Sequence, residues 1–104
     1  MSGMDALIEF LQARLAEDHA WAKRQERVAI RTHHVGRRSP HPPDHYSRVL
    51  ADVEAKRRIV ARCAETFAGD GWKSDDAPDM ARETLRDLAG AYADHPDCRP
   101  EWRP

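Results

Sequence analysis

Apolar residues recur at helical spacing from the first turn of the chain. Met4, Leu7, Ile8, Leu11 and Leu15 fall on one stripe with Phe10 beside it, the pattern of an amphipathic helix. Ser2 followed by Asp5 is a capping signal, and Lys23, Arg24 and Arg27 follow the early acidic residues in the order that suits the helix macrodipole. The spacing predicts a helix over about 3–26, with the stripe fading after Ala22. Val28, Ile30 and Thr32 then alternate, as a short strand or a frayed helix end would. Gly36, Pro40, Pro42 and Pro43 interrupt regular structure, so about 27–43 reads as an irregular connector.

The second periodic segment is the clearest. Tyr46, Val49, Leu50, Val53, Val60, Cys63, Ala64 and Phe67 share a face, which predicts a helix over about 44–68. Asp44 or Ser47 suits its start, and Gly69 with Gly71 its stop. Asp52 with Lys56 and Glu54 with Arg58 are i,i+4 pairs in the favourable order, each worth about 0.2–0.5 kcal/mol. The face breaks at Lys56–Arg57, where long basic stems can cover apolar surface while their heads reach water. A third helix is predicted over about 76–92. Asp75 or Asp76 caps it, Pro78 lies in its first turn, and Met80, Leu85, Leu88 and Tyr92 face inward. Gly90 weakens its last turn. The remaining stretch, 93–104, holds three prolines, Cys98 and Trp102, and its proline spacing favours an extended, preorganised chain.

These elements predict an all-α fold in a single domain spanning 1–104. Two longer antiparallel helices pack with a shorter third, and an extended Pro-rich C-terminal strap completes the fold. The length of 104 residues suits one domain. Leu, Ile, Val and Phe total 16, so the core is thin and a second copy or a partner is expected to complete it. The formal net charge of −1 favours neither nucleic acid nor membrane. No apolar run approaches the ~18 residues that span a bilayer. The start lacks the basic region of a signal peptide, and two distant cysteines make no disulfide framework. The expectation is a cytoplasmic protein with reduced thiols.

Two blocks carry a family resemblance: "RVLADVEAKRRIV" at 48–60 and "YADHPDCRPEWRP" at 92–104, supported by "MDALIEFLQARLAED" at 4–18. The chain resembles a family of small uncharacterised proteins of high-GC Gram-positive bacteria and their phages, domain of unknown function 6221. It departs from that pattern at Cys98, where tyrosine is expected, and at "DHYSRVL", which replaces a form closer to Asp-Pro-Ala-Arg-Val-Leu. Position 98 is therefore not a fixed chemical group. The resemblance implies no activity.

Candidate chemistry is sparse. His33, His34, His41, His45, His95, Cys63 and Cys98 are metal-ligand types, and "DHPDC" packs four donors into five residues. No pair has familiar zinc spacing on a helix, since Pro42 and Pro43 separate His41 from His45. "DHPD" reads as a turn in which Asp94 bonds to backbone two residues on. Cys63 lies on an apolar face, where cysteine is usually an inert small hydrophobe. No phosphate loop or nucleophile elbow is present. The sequence is read as non-catalytic, with no metal and no cofactor.

Two binding classes remain. In the first, the chain binds protein, as a homodimer or with another partner. Tyr46, Val49, Val53, Val60, Phe67, Tyr92 and Trp102 then serve as contacts or as a strap over the core. In the second, it binds nucleic acid through Lys23, Arg24, Arg27, Arg31, Arg37 and Arg38. Residues 23–38 carry six Lys or Arg against one Glu, and 65–97 nine acidic residues against three basic. Salt-insensitive self-association would favour the first class and steeply salt-dependent binding to duplex DNA the second.

Overall fold

A computed structural model describes residues 4–34, 43–68 and 76–103, with the side chains of 33, 34 and 43 outside that description. The fold is all-α. Three helices follow in chain order, α1 (Asp5–His34), α2 (Pro43–Ala68) and α3 (Asp76–Gly90), and a short 3-10 turn covers Pro100–Trp102. No strand occurs among the described residues.

The chain divides into two compact units. The terminal unit comprises Met1–Arg14 with Arg57–Pro104, and the helix-pair unit comprises Leu15–Lys56. The core of the terminal unit is built from the predicted α1 stripe. Leu7 and Leu11 are fully buried and Met4, Ile8 and Phe10 nearly so, as are Val60 and Cys63 of α2 and Ala81, Leu85 and Ala89 of α3. The Met4 carbonyl accepts the Ile8 N–H at 2.9 Å, so one further backbone bond closes the start of α1.

In the helix-pair unit, His19 lies 3.9 Å from Glu54 and the Ser47 hydroxyl donates to Glu26 at 3.1 Å. Partner numbers fall on α2 as they rise on α1, so the two helices run antiparallel here. Leu15, Ala22 and Ala29 of α1 and Tyr46, Leu50 and Val53 of α2 are buried. Small inward side chains allow close helix approach. Trp21 meets the Tyr46 ring edge-on, with centroids 6.0 Å apart.

Several expectations need correction. α1 continues to His34 rather than ending near 26, so the first part of the expected 27–43 connector is helix. No glycine or proline intervenes before Gly36, and Ala29 continues the inward line one heptad after Ala22. Val28 and Ile30, whose alternation suggested a strand, are exposed on that helix. The rest of the expected connector, 35–42, lies outside the described residues.

α2 begins at Pro43, where a missing N–H costs nothing, so Asp44 sits inside the first turn and favours the positive end of the dipole. The Ser47 hydroxyl also reaches across to Glu26 of α1. The Asp52–Lys56 pair forms at 2.8 Å, whereas Glu54 turns to His19 instead of Arg58. On α3 the inward line is Ala81, Leu85 and Ala89, and Met80 points out at 67% exposure. Met80 precedes Ala81 by one residue, a rotation of about 100° around the helix.

The tail is also not the extended chain expected. Carbonyls of Ala89, Tyr92 and His95 accept the N–H groups of Tyr92, His95 and Cys98 at 2.9–3.0 Å, giving three consecutive turns. Arg99 is extended, and the Arg99 carbonyl then accepts the Trp102 N–H at 3.0 Å. Pro96 and Pro100 occupy the second position of their turns, where a fixed φ near −65° is favourable. The proline spacing that suits an extended chain suits this path equally.

Candidate functional site

The densest arrangement of polar and aromatic chemistry lies in the terminal unit, where the tail meets α1. Phe10 and Arg14 are one helical turn apart, so both side chains rise from the same face of α1. The turns after α3 bring three rings onto Phe10. Tyr92 packs edge-on with centroids 6.2 Å apart, His95 edge-on at 5.7 Å, and Trp102 tilted at 5.2 Å. These separations lie in the range in which aromatic pairs attract beyond their buried area. Trp102 is 5% exposed, and the Arg99 guanidinium stacks over it at 5.0 Å.

Arg14 organises the polar side. Its guanidinium lies 5.4 Å from the Phe10 centroid, reaches the His95 ring nitrogens and stands 3.5 Å from an Asp97 carboxylate oxygen. Only 11% of its side chain is exposed. The Asp97 backbone N–H donates to His95 Nδ1 at 3.0 Å. His95, rather than Asp94, thus receives the N–H two residues on. A neutral imidazole offers one lone pair to such donors, so the ring accepts from Arg14 or from Asp97 at a given moment. Both donors belong to the chain itself, and the cluster is suited to holding the tail.

The residues expected as partner contacts are mostly interior. Tyr46, Val53, Val60 and Trp102 are buried, while Val49, Phe67 and Tyr92 are half-buried. The structure brings Tyr92 and Trp102 together on Phe10, and places Tyr46 in the helix-pair unit. Lys23, Arg24, Arg27 and Arg31 are all exposed along α1, and Arg37 and Arg38 lie outside the described residues. The sequence pattern placed Phe10 beside the α1 stripe without a site role and did not point to Arg14. The i,i+4 aromatic–arginine spacing on the edge of the α1 stripe was the signal available for them.

Both cysteines are free and buried. Burial pushes the Cys63 thiol above its ordinary value, with the Arg62 charge acting in the opposite direction. Cys63 lines a groove of about 390 Å³ between α2 and α3, with Thr66, Met80, Ala81 and Thr84 among its walls. Among the described residues, no three His, Cys, Asp or Glu side chains stand close enough to hold a metal ion. Of the metal-ligand types named above, the side chains of His33, His34 and His41 lie outside that description.

The geometry defines a small all-α protein, with three α-helices among the described residues, whose C-terminal turns seat a tryptophan on the first helix. The chain belongs to a family of unknown function (DUF6221), whose model matches residues 4–104. No curated protein and no solved structure matches it. Among the described residues, no helix is long and apolar enough to cross a membrane.

Proposed function

We propose that this chain is a small non-catalytic helical module that works by binding protein, first of all a second copy of itself. The observation that carries this reading is where the scarce apolar residues are placed. Trp21, Val28 and Ile30 of α1 and Met80 of α3 are 47%, 51%, 53% and 67% exposed. A chain with only 16 Leu, Ile, Val and Phe leaves two of them exposed on the flanks of one helix. Covering such side chains is the usual driving force for association. Tyr92 and Trp102 act in this reading as a strap that closes the terminal unit, and the docking contacts fall on the helix surfaces.

Sedimentation velocity across a wide concentration range tests the proposal. Concentration-dependent mass above that of one chain is expected, and a single monomeric species throughout would overturn self-binding. Deleting 94–104 separates the roles of the tail. A lower melting temperature is expected for a strap, whereas intact folding with lost association would make it the docking peptide.

A second reading rests on Lys23, Arg24, Arg27 and Arg31, all exposed on α1. In this reading the chain is a nucleic-acid-binding accessory protein held by phosphate contacts. Duplex DNA binding that weakens steeply with salt supports it, with the slope falling by about one for each contact removed.

A further inference from the structure

We infer that the second copy is recognised by two matched charged stripes, the basic face of α1 docking on the acidic face of α3 of another chain. The inference rests on the self-binding reading above and names its surfaces. Lys23, Arg27 and Arg31 stand at one-turn intervals on α1, and Asp79, Glu83 and Asp87 stand at the same intervals on α3. All six are exposed. Each stripe spans nine residues, eight steps with a rise of about 12 Å, so three cations can face three carboxylates in one register.

Helical geometry turns both stripes outward. Arg27 and Arg31 lie two residues either side of buried Ala29, and Glu83 lies two residues from both Ala81 and Leu85. Two residues is a rotation of about 200°, which places the charged face opposite the buried one. Among the described residues, no carboxylate pairs with Lys23, Arg24, Arg27 or Arg31, and no cation pairs with Glu83 or Asp87. Asp79 shares an exposed i,i+3 pair with Arg82 at 3.0 Å, a weak link that a stronger array can displace.

Apolar side chains accompany both stripes. Val28 and Ile30 flank Arg27 and Arg31, and Met80 lies beside Asp79 one turn before Glu83. Docking would cover these side chains along the edges of the charged stripes, adding apolar burial to the charge pairing. A nucleic acid offers phosphate to the cations but no match for Val28 and Ile30, and it leaves the acidic α3 stripe without a partner. Charge complementarity within one sequence therefore favours another copy of the chain.

A charge-swap experiment on the full chain tests this. Apolar contacts alone would give the salt-insensitive self-association expected from the sequence. Charged stripes instead predict a wild type that self-associates at low ionic strength and dissociates as added salt shortens the screening length from about 10 Å at 0.1 M to about 3 Å at 1 M. Arg27→Glu with Arg31→Glu, or Glu83→Arg with Asp87→Arg, should each weaken self-association by about tenfold or more, because attraction becomes repulsion. Mixing the two variants should restore association, since each then carries the stripe the other needs. Restoration also excludes misfolding as the cause of the loss. Wild-type association that neither reversal changes would overturn the stripe assignment and leave the self-binding reading standing. A wild type that stays monomeric at low salt would overturn both. Reversal on α1 that abolishes binding to duplex DNA without altering the oligomer would assign the basic stripe to nucleic acid instead.

Discussion

The two units solve the same packing problem with different materials. The terminal unit buries large side chains, Leu7, Leu11, Phe10, Leu85 and Trp102, and closes its edge with an aromatic cluster and a sequestered arginine. The helix-pair unit buries Leu15, Tyr46, Leu50 and Val53, but its α1 side beyond Leu15 is carried by Ala22 and Ala29. It also leaves Trp21, Val28 and Ile30 in contact with solvent. Burial stabilises by roughly 25 cal/mol per Å² of apolar surface. Stability in the terminal unit therefore rests on a few large side chains, whereas beyond Leu15 the α1 side of the helix-pair core is built from small ones. The unit that holds the weaker core carries the more apolar and more basic surface, which fits a surface that another molecule completes.

The sharpest way to break this contrast is Trp102→Ala. Removing a buried tryptophan typically costs about 3–5 kcal/mol, a large part of the 5–15 kcal/mol that stabilises a small domain. Urea denaturation should show that loss. Hydrogen exchange should place it in 5–14 and α3 more than in 20–30. A cost below about 1 kcal/mol would mean that the tail is peripheral to the terminal core. Ala29→Leu probes the other unit in the opposite sense. Overpacking a close helix contact costs about 1–3 kcal/mol, and a neutral or stabilising outcome would show that the helix pair is loosely packed at Ala29.

The same contrast explains what could be read from the sequence. The α1 stripe from Met4 to Leu15 and the α2 face from Tyr46 to Val60 were clear because their inward residues are large and periodic. The extension of α1 through 27–34 was obscured because its inward residue is Ala29, which carries little hydrophobic signal, while Val28 and Ile30 face out. On α3 the same substitution of alanine for bulk misdirected attention to Met80. The path of the tail was ambiguous because a proline φ near −65° suits both an extended chain and the second position of a turn. The site around Phe10 was out of reach for another reason. Arg14 and His95 are 81 residues apart, and only the turns after α3 bring them together.

Arg14→Lys sharpens the account of the terminal unit at a smaller scale. Lysine keeps the charge and loses the planar fork that meets His95, Asp97 and the Phe10 face together. A cost of about 1 kcal/mol is expected from the weakened stacking and hydrogen bonding. Arg14→Ala should cost more, because buried stem packing is lost as well. Equal stability of the lysine variant and wild type, measured by urea denaturation, would assign Arg14 to charge alone.

The smallest effect is the pH response of Cys63. Both cysteines belong to the terminal unit, so a thiol contribution to alkaline instability should be confined to it. Burial holds the Cys63 proton to higher pH in the folded chain, against the pull of Arg62. In the unfolded chain the thiol ionises in its ordinary range, about 8.5. Below that range both states are protonated and the contribution is fully present. As pH rises through it the unfolded chain loses its proton first, so stability falls, by at most about 1.4 kcal/mol per pH unit for one proton. Cys63→Ala should therefore lose less stability than wild type between neutral pH and a pH of about 10. Urea midpoints at the two pH values measure the difference, and parallel losses in both proteins would remove Cys63 from the alkaline response.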